Sequence, residues 1–247
     1  MFGVKGSSSF AIRLQESLKL AAKSDYFSKN RISHDDGWGG VWFSKDRQFY
    51  WRTTIPIFKD KLAGRFFPSS SQTIAGLSHA RKAAPNEPIR GPFDSHPFFT
   101  HLGENLIYVT HNGHINKSKF KTRLGLDTND LNDTEAFTFL IQKMKGTTES
   151  RLQSSIDLIN ESEAMLGALN LIVLSVRRNG DHDLFYYSDF PEGRNDLYYS
   201  MYTNKYNRRD AVMSSTVAYL QGLIDQNGEC IKPNARKVPL RKLKKLN

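Results

Sequence analysis

Four short polar stretches carry residue types that can do chemistry. His111-Asn112-Gly113-His114 closes the apolar run NLIYVTHNGHI at 105–115, which reads locally as a strand followed by an Asn-Gly hairpin turn. A turn has no need of two flanking histidines. The alternative is that the Asn112 side chain and the Gly113 backbone N–H face a ligand. In SHARKAA (78–84), Arg81 leaves an expected strand, where a guanidinium needs an anion. That anion is either a structural carboxylate or a substrate carboxylate gripped by two parallel hydrogen bonds. HDDGWGG (34–40) is either a plain loop or a wall where Gly37, Gly39 and Gly40 let a small ligand approach the main chain. In FDSHPFF (93–99), Pro97 holds His96 extended. Asp133, opening DTEAF, fits a helix N-cap.

Five histidines, His79, His96, His101, His111 and His114, fall within 36 residues and invite a metal. No HExxH accompanies them, and the expected turn separates His111 from His114. No metal and no cofactor are expected.

The elements that must position these residues alternate by group. A helix follows SSS at 7–9, with Ile12, Leu18 and Leu20 as candidate core positions. Strand-like pieces come next: GVWFS (40–44), QFYWRTT (48–54), QTIAGLSHA (72–80) and LIYVTH (106–111). Helices are expected over 133–145 and 148–166. Strands return in ALNLIVLSVRR (168–178), DLFYYSD (183–189) and AVMSS (211–215), before a helix at 216–225. Strands, helices, then strands again point to an α+β layered sandwich and not to doubly wound βαβ order.

At 247 residues the chain suits one large domain, taken as 1–231, followed by a basic C-terminal tail, 232–247. The tail holds seven Lys or Arg and no acid, which accounts for most of the net charge of +10. It lacks interleaved aromatic and basic residues of the RNA-binding kind, so nucleic acid is disfavoured as a partner. The longest apolar run, ALNLIVLSV (168–176), has the length of a buried strand, and no membrane span is expected. Arg13, Glu16 and Lys19 interrupt any signal-peptide pattern. The single Cys230 excludes an internal disulfide, reads as a small, partly buried thiol, and fits a reducing cytoplasm.

In this order, Asp36-Gly37-Trp38-Gly39, His79-Ala80-Arg81, His96-Pro97-Phe98, His111-Asn112-Gly113 and Asp133-Thr134-Glu135 resemble the motifs of class II glutamine amidotransferases. That family's glutaminase domain belongs to the N-terminal nucleophile hydrolases. AVMSSTVAY (211–219) is similar to a weaker segment of it. The resemblance covers about the first 140 residues well and the rest loosely. It implies a four-layer αββα sandwich of two mainly antiparallel sheets. It also implies hydrolysis of the amide of glutamine, or of a related γ-glutamyl compound, through a thioester, with release of ammonia. Asn112 and Gly113 match the family's oxyanion hole, a donor of which is typically worth about 10²–10³ in rate. Arg81 and Asp133 match the positions that hold the substrate's α-carboxylate and α-ammonium. Gly37, Trp38, His79 and His96 fall in the family's substrate-site motifs. A separate ammonia-accepting synthase is an expected partner.

One element of the pattern is missing. The family attacks with an N-terminal cysteine whose free α-amine, with an ordinary pKa of about 7.7–8.0, serves as base. This chain begins Met1-Phe2-Gly3-Val4, and Phe2-Gly3 fit the fourth and fifth family residues. A Cys-Arg pair is therefore expected upstream of Met1; the alternative is a catalytically silent glutamine-binding or assembly subunit. Cys230 cannot substitute, having no free amine. Ala84 stands where Thr is usual, and Asp94-Ser95 where Asn-Thr is commoner.

Overall fold

A computed structural model describes residues 1–246 except 46, 66, 68–72, 85, 86, 88, 89, 126, 194, 195 and 208. Its strands are β1 (Phe2–Ser7), β2 (Trp38–Phe43), β3 (Gln48–Thr53), β4 (Thr73–Ala80), β5 (Phe98–Leu102), β6 (Asn105–Ile115), β7 (Met165–Val176), β8 (His182–Tyr187), β9 (Met201–Tyr206), β10 (Arg209–Ser214), β11 (Ala235–Lys237) and β12 (Lys244–Leu246). The helices are α1 (Ser8–Lys23), α2 (Lys121–Leu124), α3 (Asp133–Lys143), α4 (Thr148–Glu161), α5 (Asp196–Tyr199) and α6 (Ser215–Leu220). Residue 72, the expected start of β4, lies outside the described residues.

The fold is α+β, with two antiparallel sheets ordered β11-β9-β10-β1-β4-β2-β3 and β12-β8-β7-β6-β5. Three apolar cores hold it together. Met1, Val41, Leu77, Ile172, Leu184 and Val212 fill the space between the sheets. Phe2, Phe10, Leu14, Trp38 and Trp42 pack α1 and α6 against the first sheet. Phe137, Leu140, Ile156 and Leu171 pack α3 and α4 against the second. Successive side chains along β1 face opposite ways: Phe2 and Val4 enter the helix-side core, while Gly3 faces Ile172 and Leu184 between the sheets, and Met1, just before the strand, joins that inter-sheet core.

Local chemistry starts the helices where the sequence indicates. The Ser7 side chain accepts the Phe10 N–H and caps α1. The buried stripe of α1 is Phe10, Ala11, Leu14, Leu18, Ala21 and Ala22; Leu20, an expected core residue, is 59% exposed and Ile12 is half-buried. The stripe follows the 3.6-residue period through the alanines, which leaves those two positions at its flank or beyond. Asp133 is not the cap of α3. Asn132 is, within a capping box completed by Glu135, and Asp133 is the first helical residue.

The expected Asn-Gly hairpin does not form. β6 runs on through Asn112 and Gly113, paired to Asn170 and Leu169 of β7, and then breaks register in a bulge before Ile115. Pairing with a long apolar partner outweighs the local turn preference. The expected second long helix ends at Glu161, and Met165 already belongs to β7. Strands β1, β5 and β9 had no counterpart in the sequence-level element order. Residues 232–247 are woven in: β11 extends the first sheet, β12 extends the second, and Val238 and Leu246 are buried between them. Cys230, expected to be partly buried, is exposed.

Candidate functional site

Strand register brings the motifs together. Phe2 stands opposite Met213 on β10 and Ser78 on β4, so Met1 reaches the level of Ser214 and His79. The Ser214 N–H donates to the Met1 carbonyl at 3.1 Å, and the Met1 α-amine lies 3.4 Å from Ser214 Oγ. From the facing sheet the end of β6 delivers His111, Asn112 and Gly113. These groups line one cavity of about 230 Å³, together with His79, Arg81, His96 and Asp133.

Of the expected site residues, Asn112, Gly113, Arg81, Asp133, His79 and His96 line this cavity, whereas Gly37 and Trp38 do not. Trp38 turns into the helix-side core, where its indole N–H donates to Asp60 at 2.9 Å. Gly37, at φ +117°, is the clasp that sets Arg81: the Arg81 N–H donates to its carbonyl at 2.9 Å. A Cβ there would lie 2.3 Å from the Thr53 carbonyl oxygen, so only glycine fits. Gly113 is under the same constraint, since its Cβ would fall 1.7 Å from the Ala168 oxygen.

Arg81 is 7% exposed, and its Nη2 has no hydrogen-bond partner among the described residues. A buried guanidinium with an open donor, on a residue that lines a cavity, is suited to an anionic group. Asp133 is anchored differently. Its Oδ1 accepts the Thr134 N–H at 2.6 Å and its Oδ2 the Ile115 N–H at 3.0 Å. Burial pushes this carboxyl up, but His114, His111 and the Ile115 N–H outweigh it and hold the group well below the usual carboxylate range.

Behind the cavity His96 and His111 are joined through one hydroxyl. His96 Nε2 is 2.9 Å and His111 Nδ1 3.2 Å from Thr134 Oγ1, and His111 Nε2 is 3.2 Å from the Ala168 oxygen. With His96 donating to Thr134 and His111 to Ala168, the single hydroxyl proton of Thr134 serves either His111 Nδ1 or Asp133 Oδ1, which lies 3.1 Å away. Either order leaves His96 Nδ1 as a buried acceptor without a partner among the described residues. Burial lowers His96 to about 3, holds His79 well below its ordinary 6.5 and lowers His111 as well. All three rings are neutral at physiological pH.

Sequence reasoning missed several cavity residues. Glu87 lines the cavity and pairs at 3.2 Å with Lys117, which lies outside the lining. Asp25 and His34 pair at 3.2 Å on the wall beside α1, where Asp25 also accepts the Thr216 hydroxyl. The Met1 α-amine is lowered from 8.0 to about 5 by burial, against the opposing charge of Asp25. The Ser near the end of the AVMSS strand and His34, first residue of HDDGWGG, fall in stretches singled out from the sequence; Asp25 and Glu87 belong to none. Glu87, His114 and Asp133 present ligand atoms within 4.8 Å of one another, a set able to hold a cation. Lys117 already brings a positive charge to Glu87 there. His101 is exposed and stands outside the cavity.

No protein-family model and no curated protein matches this chain. Among the described residues no helix is long and apolar enough to cross a membrane.

Proposed function

We propose that this cavity binds glutamine, or a related γ-glutamyl amide, in the manner of a class II glutamine amidotransferase with a four-layer Ntn-hydrolase-like sandwich. The single observation that carries the assignment is convergence. The open donor of Arg81, the carboxylate of Asp133, the Asn112/Gly113 strand end and the start of β1 come from two sheets and a helix to one cavity of about 230 Å³. Arg81 takes the α-carboxylate and the acidic side takes the α-ammonium. The side-chain amide then extends toward Asn112 and Gly113, where an amide N–H pair stabilises negative charge on a tetrahedral carbon.

The reaction needs a thiol that the printed sequence does not supply at this place, since Met1 stands there. The second reading, a silent glutamine-binding or assembly subunit, is favoured by the lack of a thiol among the described residues that line the cavity. One experiment separates them. L-glutamine binding is measured by calorimetry on the chain as printed. Ammonia release is measured on chains with a free N-terminal cysteine, either in place of Met1 or as Cys-Arg ahead of it. Binding by the printed chain with ammonia released only by a cysteine chain is the expected result. Binding without release from any chain favours the silent subunit. No binding to any of them refutes both.

A further inference from the structure

We propose that Glu87, and not Asp133, is the direct acceptor for the ammonium group of an amino-acid ligand in this cavity. It thereby sets a preference for α-amino acids over amides that lack an amino group. This rests on the glutamine-site assignment above and changes which atom makes the contact.

A count of acceptors separates the two carboxylates. Each oxygen of Asp133 already takes a backbone N–H, from Thr134 at 2.6 Å and from Ile115 at 3.0 Å. The Thr134 hydroxyl at 3.1 Å and His114 Nδ1 at 3.5 Å crowd what remains. On Glu87 the donors collect on one oxygen: Oε2 accepts from Lys117 Nζ and from the Asp133 N–H, both at 3.2 Å. Among the described residues Oε1 accepts no hydrogen bond; His114 Nδ1, at 3.9 Å, is beyond hydrogen-bond reach. Lys117 thus fixes the side chain while leaving a carboxylate oxygen with free lone pairs.

Charge at the two ends of the cavity points to a dipolar ligand. Arg81 is buried with an open donor and asks for an anion. At the acidic end Glu87 and Asp133 together exceed the single charge of Lys117. His114 faces Asp133 more closely than it faces Glu87. The Glu87 side chain is 6% exposed, so solvent screens its charge weakly and pairing with an ammonium adds affinity. A zwitterionic head group satisfies both ends at once.

The test uses calorimetry with L-glutamine and with glutaramate, its analogue without the amino group, on the wild type, Glu87→Gln and Glu87→Asp. The wild type is expected to prefer L-glutamine. E87Q should weaken L-glutamine about 10–100-fold and leave glutaramate within about 3-fold. E87D keeps the charge and withdraws the oxygen by one methylene, so it should fall between; it carries the test if E87Q melts early by circular dichroism. Equal weakening of both ligands, or of neither, overturns the proposal while leaving the glutamine site standing. Tight zinc binding that E87Q abolishes with L-glutamine affinity unchanged assigns Glu87 to a metal and overturns it as well. If the wild type binds neither amide, the glutamine site itself falls and takes this inference with it.

Discussion

Two histidines flank one carboxylate oxygen at nearly the same distance and are driven in opposite directions. His111 Nδ1 lies 3.8 Å and His114 Nδ1 3.5 Å from Asp133 Oδ2. The His111 side chain is 1% exposed, and burial lowers its pKa despite the carboxylate. The His114 side chain is 37% exposed, and the carboxylate raises its pKa against a smaller burial cost. Water, not the ion-pair distance, decides the sign. The cavity therefore has a neutral wall of His79, His96 and His111, and an acidic wall of Glu87 and Asp133 beside His114, with Lys117 paired to Glu87 from outside the lining. His111 stands in the regular part of β6, paired to Leu171, whereas His114 sits in the bulge between Gly113 and Ile115.

Breaking that bulge should have the largest effect. Gly113→Ala drives a methyl group into the Ala168 carbonyl, and a loss of more than about 3 kcal/mol is expected by urea denaturation, together with loss of L-glutamine binding. Removing the shared anion comes next. Asp133→Asn should cost about 2 kcal/mol at pH 7, because two buried N–H donors lose a charged acceptor. The Asp133 carboxyl is depressed in the fold, so this stability is present above its unfolded pKa of about 3.9 and is lost as pH falls toward the folded value. The gap between wild type and D133N should narrow in acid, and an unchanged gap would show that Asp133 is not the charged partner.

The neutral wall has its own pH signature. Between its unfolded pKa of about 6.5 and its folded value of about 3, His96 is protonated only in the unfolded chain. Stability should therefore fall with pH across that window, by about 1.4 kcal/mol per pH unit from this residue. His96→Gln should flatten the slope by that amount in urea titrations at pH 6.5, 5.5 and 4.5. An equally steep variant would mean that the ring is not kept neutral by burial. The smallest effect is expected on the acidic wall. His114→Gln should change stability by less than about 0.5 kcal/mol, since the half-exposed pair is screened by solvent. NMR titration of the wild type should nonetheless place His114 above 6.5 and the three buried rings below it.

The site was legible in part. Arg81, Asn112, Gly113, Asp133, His79 and His96 stand out because their types and spacing exceed what a turn or a cap needs. Gly37 and Trp38 stand out for the same reason yet support the cavity from behind, a distinction that depends on which way a strand residue faces. Glu87, Lys117 and Asp25 carry no motif, and His34 opens HDDGWGG without standing out in it. They matter only because loops from separate parts of the chain fold onto the same space. Asp133 looked like a cap because an Asp before a helix usually is one, and the neighbouring Asn132 took that role.

The sequence by itself determined the grouping of strands and helices, the apolar stripes that fill three cores, and the polar residue types that line the cavity. Tertiary structure alone decided which of those residues meet. It set β1 centrally in its sheet so that Met1 reaches the cavity, ran β6 past its turn signal, and spread the last residues across both sheet edges. Local preferences of about 1 kcal/mol yield to pairing and burial summed over whole strands, and only the folded arrangement contains that sum.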